Sequence, residues 1–358
     1  MLGMRSSSVM AAEPTASSRW TRRVALSALV GIAVVFGVYI GLPRIAGLDE
    51  TWGRLSRGDP GWLVAAAVLE LGSYAGYVVL FRGIFVRPGS PIGWRESYLI
   101  TMAGVAATRI FAAAGAGGIA LTGWALSHSG MPRRQLVQGL TTFYVALYSV
   151  YMLALVLVGL GLRSGVLPGP APFGLTVVPA VFGGAVIAGA LVTALLPADF
   201  EQRVRRRLAR HERIAAFGGA LSAGAGAVAG GVRGALLMLR QLDPSLLGAL
   251  AWWAFDIAVL WACLEAFGTA PPVAAIVMAY FVGMLANLLP LPGGVGGVEG
   301  GMIGALLAFD VAGGLAVVSV LTYRAIAFWL PTVPGVVAYL QLRHVIREWE
   351  SSPPGGAP

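Results

Sequence analysis

Lysine is missing from these 358 residues; all 25 basic residues are arginine. A Walker phosphate loop needs a lysine to reach the nucleotide phosphates, so no ATP-driven pump is expected in this sequence. Cysteine is represented by Cys263 alone. That excludes an internal disulfide framework and any cysteine-based zinc or iron–sulfur site. The three histidines, His128, His211 and His344, are too scattered to suggest a metal cluster, and no cofactor is expected. Charge is scarce as well. Only 11% of residues are Asp, Glu, Lys or Arg, where a soluble domain carries about 25%. With 57% hydrophobic residues, this is the composition of a multi-span membrane protein. No polar stretch is long enough for a separate soluble catalytic domain.

What the chain has instead is apolar runs. A helix needs about 20 apolar residues to cross the hydrocarbon. Six stretches qualify: Val24–Leu42, Gly61–Phe81, Leu136–Leu162, Gly174–Pro197, Ser245–Phe267 and a long kinked one at Gly314–Leu342. Ser97–Leu126 and Val273–Phe309 are broken in the middle by glycines, and their arms are mostly too short to span. Both read as hairpins that enter the membrane and return to the same side. The expected fold is therefore all-α and polytopic, with about six spans and two re-entrant hairpins. Residues 1–23 form an N-terminal tail, 24–342 one transmembrane domain and 343–358 a C-terminal tail. Within the domain, a first half at 61–162 and a second at 245–342 are joined by a basic connector at 198–244.

Arginine placement orients the chain. With both termini inside, inner segments hold nineteen arginines, and outer segments hold four: Arg44, Arg54, Arg57 and Arg163. This satisfies the positive-inside rule and points to contact with anionic headgroups rather than nucleic acid. Arg109 and Arg324 remain within apolar regions. In Ile214–Leu239 the larger apolar residues, among them Phe217, Val228, Val232 and Leu236, fall on one helical face. An interfacial amphipathic helix is expected there, preceded by the basic run RVRRRLAR. The Trp252-Trp253 pair and Trp94 read as interfacial belt residues.

The two hairpins share a motif. GAGGIA at 115–120 and GVGGVE at 294–299 both read G-x-G-G-[IV]-x. Each lies at a hairpin tip, and each hairpin sits between two spans. On the expected topology one hairpin opens from the cytoplasm and the other from outside, which makes an inverted repeat. Interrupted segments at matching places in two inverted halves are the best sequence pointer to a transporter's binding site. The glycines allow close approach and turning, and exposed N–H groups at half-helix N-termini can face an anion. GAGGIA also fits a dinucleotide pattern, but it lacks the acidic residue required about 20 positions on.

The stretch NLLPLPGGVGGVEGG followed by LTYRAIAFWLP resembles the lysylphosphatidylglycerol synthase transmembrane region family, the membrane part of bacterial multiple-peptide-resistance proteins and their stand-alone relatives. The motif residues are Pro290, Pro292, Gly293, Gly294, Gly296, Glu299, Tyr323 and Arg324. RIFAAAGAGGIAL, from Arg109, resembles the looser first-half motif. The resemblance covers roughly residues 20–345. It implies two re-entrant hairpins and movement of lipids, notably aminoacylated phosphatidylglycerol, between leaflets of the bacterial cytoplasmic membrane. Other members accompany polyprenyl-linked sugar metabolism. The family's soluble aminoacyl-transferase domain would have to follow the last span, where this chain ends, so synthesis of lysyl-lipid is not expected.

Ionisable residues at membrane depth are functional candidates, because each is costly unless paired or hydrated. Glu299 and Arg324 could pair, or Arg324 could hold a lipid phosphate in a bidentate contact. Arg109 is the other candidate phosphate ligand. Asn287 could bond a headgroup or cap a broken helix. Gly115, Gly117, Gly118, Gly293, Gly294 and Gly296 would shape the midplane site. Glu70 and Asp256 could couple proton movement to transport or pair with an arginine. The leading expectation is a flippase-like transporter for an anionic or polyprenyl-phosphate lipid. Two other classes stay open. One is an intramembrane enzyme on a lipid phosphate, with Glu299, Asp256 or Glu70 as base. The other is a non-catalytic partner of a separately encoded lipid synthase or glycosyltransferase.

Overall fold

The computed structural model describes residues 58–88, 90–110, 116–195, 212–288, 291 and 294–351. The expected span Val24–Leu42 and the tail 1–23 lie outside the described residues, as do the basic run before residue 212, Gly115 and Gly293. Ten helices account for most of the described residues, and none of these is in a strand. They are α1 (Pro60–Phe85), α2 (Trp94–Ile110), α3 (Ala116–His128), α4 (Arg133–Arg163) and α5 (Phe173–Ala194). After α6 (Glu212–Arg240) come α7 (Leu246–Phe267), α8 (Val273–Met284, continued by a 3-10 turn over Leu285–Leu288) and α9 (Gly297–Ala308). The last, α10 (Gly313–Ser351), is one continuous helix with a π-helical segment at Ala325–Trp329.

Five of these helices, α1, α4, α5, α7 and α10, are long and apolar enough to cross a bilayer. They match five of the six expected spans. The all-α polytopic class is thus established. Helix α10 runs on past the expected boundary at Leu342, because Leu342, Val345 and Ile346 are buried. Where a kink was expected near Gly314–Leu342, the structure has the π-helical segment at Ala325–Trp329. Pro331 and Pro334 lie inside the helix, where a proline removes an N–H and crowds the preceding turn.

Helices α1 and α7 are the central pair, packed antiparallel. Asp59 N–H donates to the Ala266 carbonyl at one end (2.9 Å), and Ser73 Oγ donates to the Trp252 carbonyl near the middle (2.9 Å). Trp62 meets Trp261 edge to face between these points. Each expected hairpin is a pair of short helices packed on each other, α2 on α3 and α8 on α9. A Cβ on Gly118 would sit 2.6 Å from the Gly104 carbonyl, and one on Gly301 3.0 Å from Gly283 Cα. Each pair is therefore drawn together through glycine. At about 1.5 Å per residue, these arms are shorter than a roughly 30 Å hydrocarbon layer.

The hairpins open at opposite ends of the bundle. The C-terminus of α3 lies beside that of α10, where His128 Nε2 is 3.2 Å from Glu350 Oε1. Gly268 after α7 lies against Leu315 at the start of α10, and Gly169 lies against Pro272 before α8. The end shared by α3 and α10 also carries Arg87, Arg95, Arg133, Arg134, Arg343 and Arg347, whereas Arg163 lies at the other.

Helix α6 packs along α4 and α5. Ala229 and Val232 are buried, Gly231 abuts Thr141 and Gly234 abuts Thr142, while Val228, Leu237 and Leu239 are exposed. Small residues let the helices approach closely, which larger apolar side chains would prevent.

Candidate functional site

Described residues beside the two hairpin tips line one cavity partway along the bundle. Arg109 is the penultimate residue of α2, so the first tip carries it inward to the middle of α1 and α10. Its Nη1 donates to the Phe328 carbonyl (2.5 Å) and to Thr332 Oγ1 (3.2 Å). Its Nη2 donates to the Ala327 carbonyl (2.7 Å) and to the Tyr74 hydroxyl. Pro331 has no N–H, so Ala327 lacks its ordinary α-helical donor, and Arg109 supplies one. The two terminal nitrogens of Arg109 are therefore directed at protein acceptors. Its positive charge remains at the centre of the molecule as a fixed field.

The second tip is built around Glu299, which is completely buried. It stands in the first turn of α9. One carboxylate oxygen accepts from Gly296 N–H (2.8 Å), capping the helix, and the other accepts from Arg324 Nε (2.8 Å). This answers why a carboxylate tolerates such depth. A helix N-terminus and a guanidinium both stabilise its charge. Gly294 and Gly296 have φ of 67° and 83°, which side-chain-bearing residues rarely adopt, so the turn before α9 needs glycine at both positions. Asn287, on the 3-10 turn, leans over this loop. Its Nδ2 donates to Met284 Sδ (3.2 Å), and a Cβ on Gly294 would meet its Oδ1.

The two arginines are linked through one ring. The Arg324 guanidinium carbon lies 4.1 Å from the centre of the Phe328 ring, and that of Arg109 lies 5.0 Å from it. Cation–π attraction to one aromatic face offsets part of the repulsion between two like charges. Phe328 belongs to the π-helical segment, whose widened turn brings its carbonyl and ring to this place.

Beside these groups lies a cavity of about 710 Å³. Arg109, Arg324, Asp256, Asn287 and Gly294 line it, so the structure brings five of the expected residues together. Glu299 stands behind Arg324. Gly118 lies in the neck of the first hairpin against Gly104 and Thr108. Gly117 lies beside it at the start of α3, and Gly296 caps α9. Glu70 is buried on α1 one turn from Tyr74. The rest of the wall is aromatic: Tyr77, Tyr144, Tyr148, Tyr151, Trp252 and Trp253, among others. The tryptophan pair expected at the interface belt thus belongs to the cavity. Trp253 Nε1 donates to the Leu147 carbonyl (2.7 Å), which turns the indole inward. Sequence reading missed the tyrosines. Tyr144, Tyr148 and Tyr151 recur at three- and four-residue spacing on α4, which places them on one face. No group of three potential metal ligands occurs among the described residues.

Residues 25–335 match the family described as lysylphosphatidylglycerol synthase TM region. Two UPF0104 membrane proteins of Methanothermobacter thermautotrophicus are each 32% identical to this chain, one over 91 residues and the other over 90. Each match takes in 25% of this chain and about a quarter, 26% and 27%, of the relative's length.

Proposed function

Because the chain belongs to the lysylphosphatidylglycerol synthase transmembrane region family, we propose that it carries an anionic lipid headgroup from one leaflet of the membrane to the other. One observation carries this reading. Two hairpins, opening at opposite ends of the bundle, contribute Arg109 and Ile119 from one and Asn287, Leu291 and Gly294 from the other to one cavity of about 710 Å³, which Arg324 also lines. A lipid phosphate is the chemistry that fits. Arg109 and Arg324 supply positive potential, the aromatic wall offers an amphipathic surface, and the acyl chains stay outside in lipid. The hairpins re-enter the membrane rather than cross it, and the arginine-rich end faces the cytoplasm. Glu299 positions Arg324 instead of touching the lipid, and Asn287 lies where a headgroup would pass the second tip.

The reading is tested by blocking the cavity. Cys263 is buried and is replaced by alanine to give a cysteine-free background. Cysteines are then placed at Val145 or Leu291, which line the cavity, and at Tyr98, which is exposed and does not. Reaction with a bulky maleimide is expected to stop movement of fluorescent phosphatidylglycerol in liposomes for the first two and to leave the third unchanged. Equal movement in all three after labelling would refute the cavity as the path.

A further inference from the structure

Two buried carboxyl groups take no part in the Glu299–Arg324 pair. Glu70 is 4% exposed and Asp256 7%. They occupy matching places in the two halves, each the eleventh residue of its helix counted from Pro60 and from Leu246. The antiparallel register brings them face to face. Tyr74 meets Trp252 edge to face; one turn back along α1 is Glu70, and one turn on along α7 is Asp256.

The surrounding groups are few. Tyr74 stands one turn from Glu70 on α1, and its hydroxyl accepts from Arg109 Nη2, which brings that charge close to Glu70. Cys263 lies two turns along α7 from Asp256. Tyr280 from α8 donates to Asp256 Oδ2 (2.5 Å), and the Tyr323 ring from α10 packs edge to face on that of Tyr280. Arg109 from α2 and Arg324 from α10 are the cations acting on Asp256. Helix α4 meets α7 here through the neutral Trp253–Leu147 bond. Each carboxyl keeps one oxygen, Glu70 Oε2 and Asp256 Oδ1, that no hydrogen-bond donor reaches. Two ionised carboxylates held side by side in a low-dielectric interior, each with an oxygen that no protein donor reaches, repel each other strongly. One proton between them removes the repulsion, as in other paired acids.

We propose that Glu70 and Asp256 form a proton-binding pair at the centre of the inverted repeat, and that an anionic headgroup in the cavity takes a proton with it. The second half of this statement rests on the transport reading above. With one shared proton, the pair's remaining negative charge and that of Glu299 balance Arg109 and Arg324. A phosphate monoanion entering the cavity makes the centre negative, and a second proton restores neutrality. That proton comes from water in the cavity, which Asp256 lines, and forms an O–H bond at a carboxyl oxygen. The bond breaks again when the anion leaves. Headgroup binding and proton binding therefore strengthen each other by reciprocal linkage.

Two measurements on the full chain test this. Infrared spectra in phosphatidylglycerol-containing liposomes are expected to show a protonated carboxyl band at neutral pH that the Glu70→Gln, Asp256→Asn double variant lacks. A pH-indicator dye is expected to report proton uptake when short-chain phosphatidylglycerol is added to purified protein, and none in the double variant. Absence of the band, its persistence in the double variant, or headgroup binding without proton uptake would overturn the pair. Wild-type lipid movement in the double variant, insensitive to an imposed pH gradient, would also overturn it and would leave the transport reading standing. A band and proton uptake without lipid movement between leaflets would sink the transport reading and leave the proton pair standing.

Discussion

Replacing Glu299 by alanine is expected to cost the fold about 3–5 kcal/mol, the range seen when one partner of a buried ion pair is removed. Two losses coincide in that change. Arg324, 4% exposed, would keep a buried charge without its carboxylate, and the first turn of α9 would lose the acceptor for Gly296 N–H. Glu299→Gln keeps an acceptor oxygen for the cap but not the charge, so its effect should be intermediate. The double variant Glu299→Ala, Arg324→Met should recover part of the loss, because no uncompensated charge remains. Thermal unfolding in detergent checks the order: wild type, then Glu299→Gln, then Glu299→Ala, with the double variant above Glu299→Ala. An unchanged midpoint in Glu299→Ala would show that the pair does not hold the second tip.

The second large effect is expected at Arg109. Alanine there removes donors from the Ala327 and Phe328 carbonyls, from Thr332 and from the Tyr74 hydroxyl. Orphaned buried acceptors cost about 1–3 kcal/mol each. The Ala327 carbonyl should suffer most, since Pro331 has no N–H to replace the arginine. This gives the prediction a specific signature. Pro331→Ala restores a backbone N–H one turn on, so it should rescue part of the stability lost in Arg109→Ala. A double-mutant cycle should show coupling of about 1 kcal/mol or more. Strict additivity would mean that Arg109 does not act through the carbonyl freed by the proline.

The physics that made some features legible explains why others were hidden. Span positions follow from run length alone, so Gly61–Phe81 and Ser245–Phe267 correspond closely to α1 and α7. The broken hairpins were legible because glycine interrupts an apolar run in only a few ways. The pairing of Glu299 with Arg324 was one of two readings, and their common motif had already pointed to it. The docking of Arg109 was not legible, because it depends on where a hairpin tip arrives in space. Its trace in the sequence was Pro331, which leaves a carbonyl in need of a donor. The small residues through which α6 meets α4, Gly231 and Gly234, left little trace beside the periodicity of its larger apolar residues. In a close helix contact the small residues face inward. The register that brings Glu70 to Asp256 needed the structure: their offsets are equal only from the observed helix starts, Pro60 and Leu246, and not from the expected span starts, Gly61 and Ser245.

The central claim is that an anionic headgroup crosses at the cavity between the two tips. It is tested most directly by reconstituting the purified chain in liposomes carrying a trace of fluorescent lipid and adding a membrane-impermeant quencher. The account predicts that quenching of labelled phosphatidylglycerol or of a labelled polyprenyl phosphate proceeds beyond the outer leaflet, while labelled phosphatidylcholine stays protected. Quenching confined to the outer leaflet for both anionic lipids, at the level of protein-free liposomes, would contradict it.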